Sequence, residues 1–312
     1  GRIRGAAAAS FRGQVYGNLH SLRGYIMGVI AFPLLLASLH LSADAKESRP
    51  ARPIEAEFQA CKNCPVFVPV PAAPPGMRRI EAVSKYELTW RNYLVAVDAG
   101  RCSLPQPYRV GFDSEDMKRS NAVIAANLDK FRVDWPIVIL GVEDIRCYIG
   151  WLEERTGYRV SLPSEKEWEW FARAGDASAR FPWGSAVDPN REALAGSSVA
   201  RSDEIAIPDI HDFWARPRGV RVGLFPPNRW GIHDLMGNVM ELTADVISGE
   251  QWLQRHPDDA VARRTRTRDR VVIKGSDRHS PEWEKGVSAT LYTLVWDGRY
   301  AAHAGVRLIL SR

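Results

Sequence analysis

In GIHDLMGNVMEL (231–242), two carboxylates, Asp234 and Glu241, and two backbone-shaping residues, Gly237 and Asn238, sit among apolar neighbours. The stretch has neither the period of a long helix nor the alternation of a strand. On residue type alone it reads as a tight turn, with Asn238 capping backbone and Glu241 in solvent. The other residues with chemical potential are four cysteines: Cys61, Cys64, Cys102 and Cys147. Cys61-Lys62-Asn63-Cys64 is a CxxC without a following His, so it is no haem attachment site, and without a second CxxC it is no zinc site. A redox role needs a βαβ context, whereas Pro65–Val70 reads as a strand. Structural disulfides are the expectation, and four cysteines allow three pairings. RRTRTRDR (263–270) is a basic run; it reads as a solvated loop or strand edge, with an anion site as the alternative.

The elements that must position these residues are partly legible. Thr89 caps a predicted helix over 89–99, with Trp90, Tyr93, Leu94 and Val97 on one face and Gly100 at its end. A second helix is expected within 114–131, and a third over 142–156, striped by Val142, Ile145, Ile149 and Leu152 and stopped by Gly157. In LPSEKEWEWFARAG (162–175), Ser164 and Glu167 have capping-box spacing ahead of Trp168, Phe171 and Ala172. VFVPV (66–70), VVIKG (271–275) and VRLIL (306–310) read as strands. Between them lie long aperiodic stretches, among them FPWG (181–184) and FPPN (225–228), which need disulfides, metal or buried aromatic residues to hold them.

The chain has 312 residues, 45% hydrophobic, with 11 Trp, 24 Gly and 20 Pro. That supports a sizeable core in a loop-rich fold. The net charge of +5 comes largely from Arg2, Arg4, Arg12 and Arg23. The nearly neutral remainder gives no reason to expect nucleic acid. Arg23 precedes an apolar run that ends in Ala43-Asp44-Ala45, the layout of a secretory signal, with a retained membrane anchor as the alternative. The expected organisation is a signal or anchor over 1–45, a linker over 46–60 and one domain over 61–312. The domain is then periplasmic or secreted, or anchored to the inner membrane facing the periplasm. Any membrane contact comes only through an uncleaved N-terminal segment.

Taken in order, CKNCPVFVPVP, KYELTWRNYLVAVDAGRC, LPSEKEWEWFARAG, FPWG, FPPNRWGIHDLMGNVMEL and GVRLIL resemble the sulfatase-modifying factor family, whose best-known member is the formylglycine-generating enzyme. The likeness covers roughly 60–312. It implies an α+β, irregular, loop-rich fold like that of C-type lectins. It also implies calcium in the 231–242 segment, with carboxylates from Asp234 and Glu241 and carbonyls from Gly237 and Val239; such oxygens suit calcium. A second calcium site would begin near Asn190. The formylglycine-generating enzymes use a C-terminal cysteine pair to hold copper(I) and oxidise a substrate cysteine. Here no cysteine follows Cys147, and the strand that should end Arg-Gly-Gly-Ser-Trp reads Ile273-Lys274-Gly275-Ser276-Asp277. Copper(I) prefers thiolates, so copper is not expected. His279 and His303 have no characteristic ligand spacing. The likeness places the cleft at Lys274, Ser276, Asp277, His279 and Trp283; the alternative is an ordinary loop after a strand. Two functions follow. One is an accessory or binding protein for a periplasmic protein or peptide; the other is a non-canonical metal-dependent oxidase or modifying enzyme.

Overall fold

A computed structural model describes residues 55–105, 122–186, 188, 219–258, 260–275, 286–289, 291–296, 299–300 and 304–312, all within one unit, Ser48–Arg312. Two five-stranded sheets organise it. The first has the order β1 (Phe58–Gln59), β2 (Val66–Pro69), β3 (Ala82–Ser84), β10 (Ile309–Ser311), β4 (Arg159–Ser161), with antiparallel pairing throughout. The second has the order β8 (Arg299–Tyr300), β7 (Leu291–Trp296), β6 (Arg270–Lys274), β5 (Met240–Ile247), β9 (Ala304–Val306), of which β5 and β9 run parallel. VRLIL was expected to be one strand. Instead it divides at Arg307 and Leu308, with β9 in one sheet and β10 in the other. VFVPV is not an outermost strand, because the two residues of β1 pair along its outer side.

The helices form where local chemistry directs them. Helix α1 (Trp90–Asp98) starts at a capping box in which Thr89 Oγ1 accepts from the Asn92 amide and Asn92 Oδ1 accepts from the Thr89 amide, each at 3.1 Å. Helix α2 (Val142–Thr156) stops where Gly157 enters the left-handed region at φ +72°. Its buried face is Ile145, Tyr148, Trp151 and Leu152; Ile149 is only half-buried, because the larger rings turn inward. Helix α3 (Glu165–Ala172) has the Ser164–Glu167 box expected for it. The interval 114–131 supplies a short helix from 122 and a 3-10 turn, Leu128–Phe131; residues 114–121 lie outside the described set.

Two cores result. The larger packs α1 and α2 (Trp90, Tyr93, Tyr148, Trp151) against both sheets. The second gathers Trp168, Phe171, Phe181, Ile232 and Leu235 around α3 and the loops. The cysteines pair as Cys61–Cys64 and Cys102–Cys147, the latter tying the end of α1 to α2. Loop closure separates their contributions. In the chain-entropy model, the Cys102–Cys147 link across 45 residues stabilises by about 4 kcal/mol, and the three-residue spacing of Cys61–Cys64 by about 2 kcal/mol. Urea unfolding of the paired alanine variants should therefore show the larger loss for Cys102→Ala/Cys147→Ala.

Candidate functional site

The 231–242 segment combines a loop with the start of β5. Its loop half is held by four left-handed residues: Gly231 (φ +84°), Asp234 (φ +58°), Gly237 (φ +95°) and Asn238 (φ +53°). Asn238 does act as a backbone cap. Its Oδ1 accepts from the Val220 amide at 2.7 Å, and its Nδ2 donates to Glu87 Oε2 at 3.3 Å. Gly219 permits this approach, since a Cβ there would stand 2.3 Å from Asn238 Oδ1. Asp234 is buried, and its Oδ2 accepts from the Gly223 amide at 2.6 Å.

Glu241 is not solvated; it is 1% exposed. Arg307 Nε donates to both of its oxygens, at 3.0 and 2.9 Å, and Nη2 donates to Oε1 at 2.6 Å. The indole Nε1 of Trp168 donates to Oε2 at 2.6 Å. Arg307 also donates from Nη1 to the Ser84 carbonyl and from Nη2 to the His233 carbonyl. One guanidinium thus joins β5, the end of β3 and the loop before Asp234, and one indole adds α3. His233, whose ring packs at a tilt against Tyr86 with centroids 5.0 Å apart, is held by burial below the usual imidazole range.

The donor set was tested for the calcium that the family likeness implies. Both oxygens of Glu241 already accept from a guanidinium or an indole, so this carboxylate offers a cation no vacant oxygen. Asp234 Oδ2 accepts a separate hydrogen bond from the Gly223 amide. Among the described residues, no group of three or more His, Cys, Asp or Glu side chains is placed to hold a metal. The arrangement does not fit an ion centred on Glu241; it fits a buried ion-pair hub.

Of the cleft candidates, Lys274 lies in β6 with its side chain fully buried. Its Nζ donates to Glu169 at 2.7 Å and Glu165 at 3.4 Å, which clamps β6 to α3. Ser276, Asp277, His279 and Trp283, together with His303 and Asn190, lie outside the described residues. FPWG and FPPN do meet. Pro182, Trp183, Asn228 and Arg229 line one cavity of about 360 Å³ with Arg173 and Asp176. Sequence reasoning missed Arg307 and Glu87. Glu87 precedes a helix cap, where an acid ordinarily reads as solvated, yet it is 1% exposed.

Glu87, Asp234 and Glu241 share one buried region with a single guanidinium. Burial, then the neighbouring Asp234, holds the Glu87 carboxyl well above its usual range. Burial, opposed by the Gly223 amide and Arg307, pushes Asp234 up to about 7. Such groups bind protons in the folded chain that the unfolded chain releases, so their contribution is present at low pH and lost as pH rises. Stability should fall between about pH 4 and about pH 7, and Asp234→Asn should flatten much of that slope; urea midpoints across this range would measure it. Removing one partner of the central pair is a harsher change. Arg307→Met leaves Glu241 buried and unpaired, and should cost about 3–5 kcal/mol in the same assay.

Comparison with known proteins agrees with this architecture. Residues 77–311 match the sulfatase-modifying factor enzyme 1-like domain. A stretch of 152 residues is 32% identical to the inactive C-alpha-formylglycine-generating enzyme 2 of Bos taurus, covering 45% of this chain and 46% of that protein. Over 115 residues the chain is 31% identical to the formylglycine-generating enzyme of Bos taurus, covering 36% of this chain and 28% of that one. The chain thus spans less than half the length of these curated relatives. PvdO from Pseudomonas aeruginosa superposes with a TM-score of 0.50 at 20% identity, covering 84% of this chain and all of that one, and so shares the fold. The match across most of its length places the chain in the sulfatase-modifying factor enzyme 1-like family.

Proposed function

We propose that this chain is a non-canonical member of its family: an exported accessory or binding protein that holds a protein or peptide partner without formylglycine-generating chemistry. The observation that carries the reading is the state of the thiols. All four cysteines are consumed in two disulfides, no free cysteine remains, and none follows Cys147. Copper(I) is held by soft thiolates, and oxidation of a substrate cysteine through such a pair has no ligands here. The position that corresponds to the family's strand-end arginine is Lys274, and its ammonium is turned to Glu165 and Glu169 inside the fold. The likeness to an inactive relative supports the same reading. Export is supported by the basic, apolar and small-residue order of 1–45, and by two disulfides, which persist in oxidising compartments.

The test is direct. The protein, exported in a bacterial host, is supplied with copper(I), oxygen and a cysteine-containing sulfatase peptide, beside an active formylglycine-generating enzyme. Mass spectrometry of the peptide should show no thiol-to-aldehyde conversion by this chain. Conversion at a rate comparable to the control would overturn the proposal. The denatured protein mass in the same experiment should show a chain starting at Lys46 with both disulfides closed.

A further inference from the structure

The Cys61–Cys64 disulfide closes a turn in which the Cys64 amide donates to the Cys61 carbonyl at 3.0 Å. The two residues are unequally exposed. Cys64 is 1% exposed and belongs to the larger core, whereas Cys61 is half-buried at its edge. Thiol exchange needs a sulfur that an incoming thiolate can reach, and of the two residues only Cys61 meets solvent.

The turn keeps its backbone bonds without the sulfur link. Asn92 Nδ2, from the first turn of α1, donates to the Asn63 carbonyl at 2.9 Å, and Gln59 Nε2, from β1, donates to the Cys64 carbonyl at 2.6 Å. By loop closure, opening this three-residue spacing costs the fold less than opening Cys102–Cys147. The larger brace stays in place when the smaller one opens.

The surroundings favour sulfur as an anion. In sequence the pair has no helix of its own, since β2 follows it. In space the N-terminus of α1 takes that place, joined through Asn92 and Asn63. A helix N-terminus carries partial positive charge, and cysteine beside one, or beside Lys or Arg, shifts toward thiolate. Lys62 stands between the cysteines, exposed and with no ion pair among the described residues. Arg91 and Arg221 line a cavity of about 410 Å³ together with Cys64. They share it with two carboxyls, Asp134 and Glu87, and burial lets Glu87 keep its proton well above the usual range. The other disulfide differs: Arg101 and Arg146, beside Cys102 and Cys147, are each paired at 2.6 Å, with Glu154 and Glu143. Surroundings that stabilise the opened pair make the closed pair the stronger oxidant.

We infer that Cys61–Cys64 is a redox-active disulfide that oxidises pairs of cysteine thiols in a polypeptide. A substrate thiolate attacks Cys61 Sγ, which forms a mixed disulfide and releases Cys64 as the thiolate. A second substrate thiolate attacks the substrate sulfur of that bond, which closes a substrate disulfide and releases Cys61. The two electrons and two protons lost by the substrate dithiol are then on the opened pair. An external small-molecule disulfide returns the pair to its closed form by the same exchange in reverse. This activity is separate from the accessory role proposed above, since it makes a disulfide and no aldehyde.

The full exported protein is equilibrated over a series of reduced-to-oxidised glutathione ratios, alkylated, and mapped by peptide mass. Cys61–Cys64 should open at a ratio at least about tenfold less reducing than Cys102–Cys147, with an unchanged far-UV circular dichroism spectrum. Cys64→Ser should capture glutathione at Cys61, and Cys61→Ser should capture at least about tenfold less at Cys64. A reduced peptide with two cysteines should be closed at least about tenfold faster by the protein than by glutathione disulfide at equal concentration. Joint opening of the two disulfides, opening only with loss of structure, equal capture by the two variants, or peptide closure no faster than with glutathione disulfide overturns the assignment. The wild-type titration and the peptide assay stand even where a serine variant fails to fold. An unreactive pair would leave the aldehyde result untouched, and aldehyde formation would leave the exchange result untouched, so the two readings fail separately.

Discussion

The fold depends on a single fully buried guanidinium. Arg307 lies in the two-residue break where the terminal stretch leaves the second sheet as β9 and joins the first as β10. A chain that changes sheets exposes backbone groups at the crossing, and these must be paired or pay a desolvation penalty. Arg307 answers this by binding the carbonyls of Ser84 and His233 on one side and the Glu241 carboxylate on the other. The adjacent Leu308 amide is taken by the Ser84 hydroxyl. An arginine suits this place better than a lysine would, because its planar fork reaches two carbonyls and a carboxylate at once.

The irregular segment before β5 follows from that crossing. Glu241 must face inward to meet Arg307 and Trp168, and the preceding residues must turn sharply to deliver it. Asp234 and Asn238 adopt left-handed backbone, which carries a local cost outside glycine. Their side chains repay part of it by holding Gly223 and Val220. The arrangement then leaves Glu87 and Asp234 with less positive charge than they need. Both stay proton-loving chiefly because they are buried, and the one guanidinium does not offset that.

The local features were legible from the sequence. Thr89, Ser164 and Gly157 act within a few residues of themselves, and spacing alone placed α1, α2 and α3. The strand expected over 271–275 was equally plain from its apolar run, and it forms over Arg270–Lys274 with every residue buried. Features that depend on distant partners were not legible. Glu241 and Arg307 are 66 residues apart, and neither announces the other. GVRLIL has the composition of one strand, and only the presence of two sheets divides it. Burial of Trp151 in place of Ile149 reflects the size of the space between α2 and its neighbours, which no helical stripe encodes. The family likeness assigned Asp234 and Glu241 to calcium; the side chains that compete for Glu241, Trp168 and Arg307, lie on elements whose meeting the sequence does not specify.

The groups that hold this domain together are distinct from those the family likeness assigns to oxidation. The hub of Arg307, Glu241 and Trp168 holds the terminal stretch where it crosses between the sheets. Its presence therefore argues for the fold and is neutral on catalysis, since a scaffold hosts reactive and unreactive sites alike. Thiolate chemistry is different, because it needs particular atoms. Here every sulfur of cysteine is committed to a covalent bond that braces the region around α1 and α2. A chain that spends its thiols in this way leaves no cysteine sulfur free to hold copper(I).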